Sequence, residues 1–318
     1  MSNRHIDLSH YEFVRVSGVD AVTFLQGQLT ADLDQLTQGN CLTSALCNLK
    51  GRVIADFRIA LRESDCILQT TSGMAEIIIT TLSKYAVFSK VEIARDDCIH
   101  AFGILTEDES LDSPAEDFEE TPQEVNQYSQ SDKGILLKIE GARRYELWSF
   151  EADSGATSTA AEKSSGAENN MADWHRADIL SGVFHVDSAR SEMYTPQLLN
   201  FDISGVVNFE KGCYTGQEVV ARMFYRGKAK KRLYLLSIAK ENITAPTKLE
   251  ILRDDKSMEL DVLSAENASE PTGGTLILAI AKTSIAESDA GSVTSGDIGE
   301  WDGVPVTLLP LPYLTTEA

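Results

Sequence analysis

Lys211-Gly212-Cys213-Tyr214-Thr215-Gly216-Gln217-Glu218 is the stretch on which the reading of this chain turns. Thr215 and Glu218 stand at capping-box spacing, so a helix is expected to begin just after Thr215. Its first N–H groups and positive dipole end would then face Cys213 and the glycine turns. Lys211 adds a second positive influence two residues before the thiol. Both effects favour the thiolate of an exposed Cys213, which makes Cys213 and Lys211 the candidate catalytic residues. The same spacing also suits an inert, buried thiol between two turn-forming glycines.

Working outward, the segment from Lys211 to Arg232 carries seven basic residues against Glu218 alone. The chain as a whole has 28 Lys and Arg against 49 Asp and Glu, a net charge of −21. This local reversal of sign can steer an anionic ligand or RNA, or can simply be a solvated helix-to-strand junction. The overall charge excludes a generally basic nucleic-acid wrapper. Much of the negative charge sits in residues 106–132, which hold ten acidic residues and no basic ones. That stretch and residues 151–170, rich in Ser, Thr, Ala, Gly, Glu and Asn, read as solvated surface loops.

A length of 318 residues suggests two or three domains, and 42% hydrophobic residues suffice for a sizeable core. No apolar run reaches the roughly 18–20 residues that span a bilayer, so an integral membrane protein is not expected. The start, Met-Ser-Asn-Arg-His-Ile-Asp, lacks the apolar stretch of a secretory signal. Five widely spread cysteines, never spaced C-x-x-C, fit a reducing, cytoplasmic setting. Cys41, Cys47, Cys66 and Cys98 lie in or beside β-rich apolar segments and are expected to be packed thiols.

Residues 11–16 read as a strand broken by Ser17-Gly18. Val22, Leu25, Leu29 and Leu33 recur at helical spacing, which places Gln26-Gly27-Gln28 on that helix. A strand is expected around Val53–Ile59, a helix over Met74–Ala86, and short strands near Val91–Ala94 and Ile99–Leu105. Met171, Trp174, Ala177 and Leu180 form a helical stripe that by itself reads as core. Beyond Lys230, short alternating segments at Leu233–Leu236, Lys248–Leu252, Leu260–Leu263, Leu276–Ile280 and Val304–Leu308 point to a small C-terminal β-barrel.

The KGCYTGQE segment resembles the signature of the YgfZ family of folate-binding, tRNA-modification-related proteins. Further anchors resemble its bacterial members in the expected order: residues 24–32 (FLQGQLTAD), 84–91 (KYAVFSKV), 224–227 (FYRG) and 310–313 (PLPY). The resemblance implies an α+β, T-protein-like multidomain arrangement around a central folate channel. Residues 1–228 would form the folate-binding region, as two intertwined subdomains, and residues 229–318 the barrel. It also implies tetrahydrofolate or a related folate as cofactor, with Tyr11 and Trp174 as the cofactor-binding aromatics. Position 11 departs from a bacterial member that carries Trp there, although Tyr also stacks on a pterin. No metal site is implied.

The function so implied is that of an accessory protein for iron–sulfur cluster assembly or repair, supporting tRNA methylthiolation indirectly. Its partners would be folate and iron–sulfur client enzymes, including a tRNA methylthiotransferase. Direct tRNA binding and membrane association are not expected, and a monomer is. The alternative is a folate-dependent aminomethyl or one-carbon transferase like the T-protein. The T-protein has a paired Asp-Asp after a glycine turn, whereas Gly51-Arg52-Val53-Ile54-Ala55-Asp56 offers one carboxylate. Losing an acid–base group typically costs 10²–10⁴-fold in rate, so aminomethyl transfer is disfavoured.

Overall fold

Val53–Arg62 (β4) is the longest strand of the first half, and its first eight residues are buried. β-branched and aromatic residues at Val53, Ile54, Phe57 and Ile59 suit an interior strand of a sheet, with neighbours on both sides. The computed structural model describes residues 4–106, 118–150, 167–253, 256–268, 273–286 and 295–314. Their fold is mixed α and β, with a closed C-terminal barrel. Two compact units interleave along the chain. The first comprises 1–171, 185–195 and 205–221, and the second 172–184, 196–204 and 222–318.

In the first unit, β4 pairs antiparallel with Leu42–Cys47 (β3) and Asp65–Thr71 (β5). Tyr11–Ser17 (β2) and Glu92–Arg95 (β6) complete a five-stranded sheet of order β3-β4-β5-β2-β6. Helices Ala21–Gln26 (α1) and Ala75–Ser83 (α2) supply Leu25, Ile78 and Leu82 to a core shared with Leu46, Ile59 and Leu68. Each such side chain stabilises the fold by roughly 1.5–3 kcal/mol when fully buried.

A second five-stranded sheet has the order β1-β7-β10-β9-β8, from Arg4–Asp7 (β1), His100–Leu105 (β7), Tyr128–Ser131 (β8), Gly134–Lys138 (β9) and Arg144–Ser149 (β10). It meets the first sheet through the Phe13–Trp148 ring pair at 5.3 Å and through polar bonds, one of them fully buried. Gln69 donates to Glu146 at 2.7 Å, and Arg58 donates to Glu140 at 2.6 Å and to Asn126 at 2.7 Å.

Several expectations change. The helix expected through Leu33 stops at Gln26, with Gly27 as its cap. The acidic stretch 106–132 is not loop throughout: it contains β8, whose buried Tyr128 donates its hydroxyl to Leu61 O at 3.0 Å. Residues 107–117 of that stretch lie outside the described residues, as do residues 151–166 of the second expected loop. From 167 onward that loop is already helix, in Ala167–Ser181 (α3). In α3 it is Ile179, not the exposed Leu180, that faces the core with Trp174.

In the second unit a closed barrel runs β11-β14-β13-β12-β15-β16. Its strands are Lys231–Ile238, Thr247–Arg253, Lys256–Asn267, Thr275–Lys282, Gly296–Trp301 and Val304–Leu309, numbered β11 to β16 in chain order. Alternating residues such as Leu236, Ile251, Leu260, Ile277 and Val306 fill its interior. Breaks in register at Val262/Ser264 and Asp297/Gly299 supply the bends that closure requires. β15, Gly296–Trp301, has too few apolar residues to show as a strand in sequence.

Candidate functional site

The signature loop is held by the turn that follows α1. Asn208 opens it: its backbone N–H donates to Thr30 O at 2.9 Å, and its side-chain oxygen accepts from the N–H groups of Glu210 and Lys211. Lys211 then runs inward, and its ammonium donates to three backbone carbonyls, of Gln26 (2.8 Å), Leu29 (2.7 Å) and Ala31 (2.7 Å). Burial pushes its pKa down to about 8 against the opposing pull of Asp32 and Asp34. Three donors meeting three acceptors describe a clamp on the loop. They also explain why α1 ends early, since carbonyls at 26, 29 and 31 are committed to Lys211 and that of Gly27 accepts from Thr215 N–H at 3.2 Å.

Helix Gln217–Arg226 (α4) starts where the spacing places it. The capping box does not carry it in the expected way, because the Thr215 hydroxyl donates to the Gln28 side chain at 2.9 Å. Gly216 has φ +85°, and a Cβ there would lie 2.4 Å from Asn48 O, so only glycine fits this approach to the β3–β4 turn. Gly212 has open space around its Cα.

Cys213 is exposed in this loop. Cys41, Cys47 and Cys66 are buried, and desolvation pushes their thiols up to about 11, 12 and 12. Cys98 is exposed, contrary to expectation, because it lies in the turn between β6 and β7 instead of on a strand. Lys211 and Cys213 thus share one loop, with the lysine charge directed at carbonyls. Among the described residues, no group of three or more His, Cys, Asp or Glu side chains is placed to hold a metal ion.

Of the basic segment, Arg232 is committed to Asp202 through two bonds of 2.8 and 2.9 Å. Arg222, Arg226, Lys228 and Lys230 remain exposed.

Tyr11 opens β2 and is half-buried. Its hydroxyl lies 3.3 Å from His185 Nε2, and His185 Nδ1 lies 2.7 Å from Asp56 Oδ2. The other Asp56 oxygen accepts from Val186 N–H at 2.6 Å. The family resemblance pointed to Tyr11 and Asp56, but neither it nor the residue pattern pointed to His185, which stands alone between apolar neighbours with no spacing signal. Tyr11 also borders a cavity of about 400 Å³ with Glu12, Arg95, Asp96, His100 and Phe102. A half-exposed aromatic ring beside polar groups suits a flat heterocycle with an amide-like edge. Trp174, on α3 in the second unit, is 0% exposed and presents no free face.

Comparison with known proteins defines the class first. The GCVT N-terminal domain matches residues 3–102. The glycine cleavage system aminomethyltransferase T from Bartonella henselae superposes with a TM-score of 0.73 at 18% identity, over 98% of this chain and 86% of that one. The fold is therefore of the aminomethyltransferase type. Within that class the chain belongs to the YgfZ family: it is 30% identical over 312 residues to the tRNA-modifying protein YgfZ of Klebsiella pneumoniae (strain 342), covering 98% of this chain and 93% of the relative.

Proposed function

We propose that this chain is a cytoplasmic, folate-binding accessory protein that supports tRNA modification by sustaining iron–sulfur enzymes, including a tRNA methylthiotransferase. The observation that carries the reading is the near full-length relationship to a tRNA-modifying protein on an aminomethyltransferase-type fold. Tetrahydrofolate or a related folate would be held with Tyr11 as one aromatic wall. Trp174 is included on the family resemblance, and a Trp174→Phe variant decides its membership. Cys213 would act on the client's cluster or sulfur, working as a monomer from an exposed loop that Lys211 holds rigid. Exposure and a rigid support are what transient soft-ligand chemistry needs.

The test is co-purification of wild type and Cys213→Ala, scoring folate, iron and client enzymes together, with tRNA methylthiolation in a strain lacking the protein. Folate retained by both and methylthiolation lost only in the variant supports the reading. Full methylthiolation with Cys213→Ala removes the thiol from it.

Aminomethyl transfer is the second reading, favoured by the fold. Against it, both oxygens of Asp56 are engaged, by Val186 and His185, and Ala55 stands where a second carboxylate is expected. The chain should fail to replace aminomethyltransferase T in glycine cleavage, and turnover of aminomethyl-loaded carrier protein at a useful rate would reverse that conclusion.

A further inference from the structure

We infer that Asp56, His185 and Tyr11 form a proton relay ending on Tyr11 Oη, which exchanges a proton with a bound ligand carrying an amide-like N–H. Three strands of argument support it. The first is geometric: Tyr11 Oη, His185 and Asp56 are linked one to the next at 3.3 and 2.7 Å, through opposite nitrogens of the imidazole, joining β2, β4 and the 185–186 segment within one compact unit.

The second concerns tautomer. A carboxylate facing Nδ1 accepts its proton, which leaves the Nε2 lone pair of the neutral ring toward the tyrosine O–H. Val186 N–H on Oδ1 fixes the carboxylate plane, and the Thr71 hydroxyl on Val186 O at 3.2 Å fixes the segment that carries the imidazole. Asp56 is therefore a positioning residue, and His185 is the proton acceptor that acts through Tyr11.

The third is access. Asp56 is buried, but the His185 side chain keeps 31% exposure and Tyr11 is half-buried, so the chain of bonds runs from the interior to a surface a ligand can reach. A tie that only held strands together has no need of an exposed end.

The proton balance closes without a further reagent. Tyr11 Oη takes the ligand N–H proton while its own proton passes to His185 Nε2. The ligand becomes an anion, and the imidazolium is stabilised by the Asp56 carboxylate. Return of the proton reverses each transfer. Around the relay, the His10 ring lies 4.3 Å from that of Tyr11, tilted by 39°, and Asp187 is committed to Arg190 at 2.6 Å. The relay rests on the folate reading only for the ligand used to probe it.

The experiment follows the His185 ring protons by NMR against pH in the ligand-free full chain, for wild type, Asp56→Asn and Tyr11→Phe. Losing the carboxylate should lower the His185 midpoint by about one pH unit, a tenfold change in proton affinity. Losing the tyrosine donor to Nε2 should raise it. An unchanged midpoint in both variants, or a shift of the opposite sign in either, overturns the relay. Tyr11→Phe leaves Asp56 and its backbone bond intact, so it remains decisive even where Asp56→Asn fails to fold. Tetrahydrofolate affinity measured over the same pH range should vary with the His185 midpoint in wild type and lose that dependence in Tyr11→Phe. Pterin binding with no pH dependence in any protein overturns the relay and spares the folate reading. Absence of binding at every pH removes the folate reading, and the His185 titration still decides the relay.

Discussion

Lys211 Nζ lies 2.7 Å from the carbonyl oxygen of Leu29, 182 residues earlier in the chain. With the bonds to Gln26 and Ala31, this contact ties the signature loop to the turn after α1. Lys211→Met should destabilise the first unit by about 3 kcal/mol, since charge-assisted bonds are lost and buried carbonyls are left unpaired. Lys211→Arg should not restore it, because a planar fork cannot aim three N–H groups at oxygens converging on one point. Urea unfolding of the three proteins checks this. Wild-type stability in Lys211→Met would show that the clamp contributes nothing.

Gly216 and Gly212 should respond oppositely to the same substitution. Gly216→Ala places a Cβ 2.4 Å from Asn48 O at a φ of +85°, and should cost more than about 1 kcal/mol. Gly212→Ala meets nothing within 4 Å and should be close to neutral. Paired thermal melts distinguish the two positions.

Two of the five thiols should react in the native protein. Cys98 and Cys213 are exposed, whereas burial both hides Cys41, Cys47 and Cys66 and raises their pKa values. Iodoacetamide labelling followed by peptide mass mapping should give two modified sites, and a Cys98→Ser background isolates Cys213. Native labelling of Cys47 would show that the Gly216 turn, which packs beside Cys47, opens readily.

The Arg58–Glu140 pair should make part of the stability acid-sensitive. Burial alone would raise the Glu140 carboxyl, but the Arg58 charge and hydrogen bond outweigh it and hold the pKa below its ordinary 4.5. A pKa lowered on folding contributes stability that is complete above the unfolded value and lost as pH falls through the folded one. Glu140→Gln should therefore be less stable than wild type at neutral pH by roughly 1–3 kcal/mol, since the buried Arg58 loses its hydrogen-bonded carboxylate and keeps only the second one facing it, Glu146. The difference should shrink below pH 4.5. A constant gap across the acid range would assign the loss to packing.

Trp174→Ala should destabilise the second unit by about 3–5 kcal/mol, because the side chain is fully enclosed. Folate titration is therefore informative with Trp174→Phe, once melting confirms the fold. Equal tetrahydrofolate affinity in Trp174→Phe and wild type would remove Trp174 from the site.

What the sequence by itself determined was whatever depends on local pattern and on near neighbours. Alternation between 233 and 308 marked five of the six barrel strands, helical spacing marked the buried Trp174, and the glycine-flanked motif singled out Cys213 while leaving its exposure open. It missed what depends on partners far along the chain. The stripe through Leu33 has helical period, yet α1 stops at Gln26 because carbonyls beyond it are claimed by Lys211 and Thr215. Lys211 sits two residues from Cys213, yet its charge is spent on a clamp, since burying an ammonium requires an acceptor for each proton. His185 carries no periodic signal at all, and only the meeting of β2, β4 and the 185–186 segment places it between Tyr11 and Asp56. Period and spacing report which face of an element is buried. Tertiary structure alone decides which polar atoms meet there.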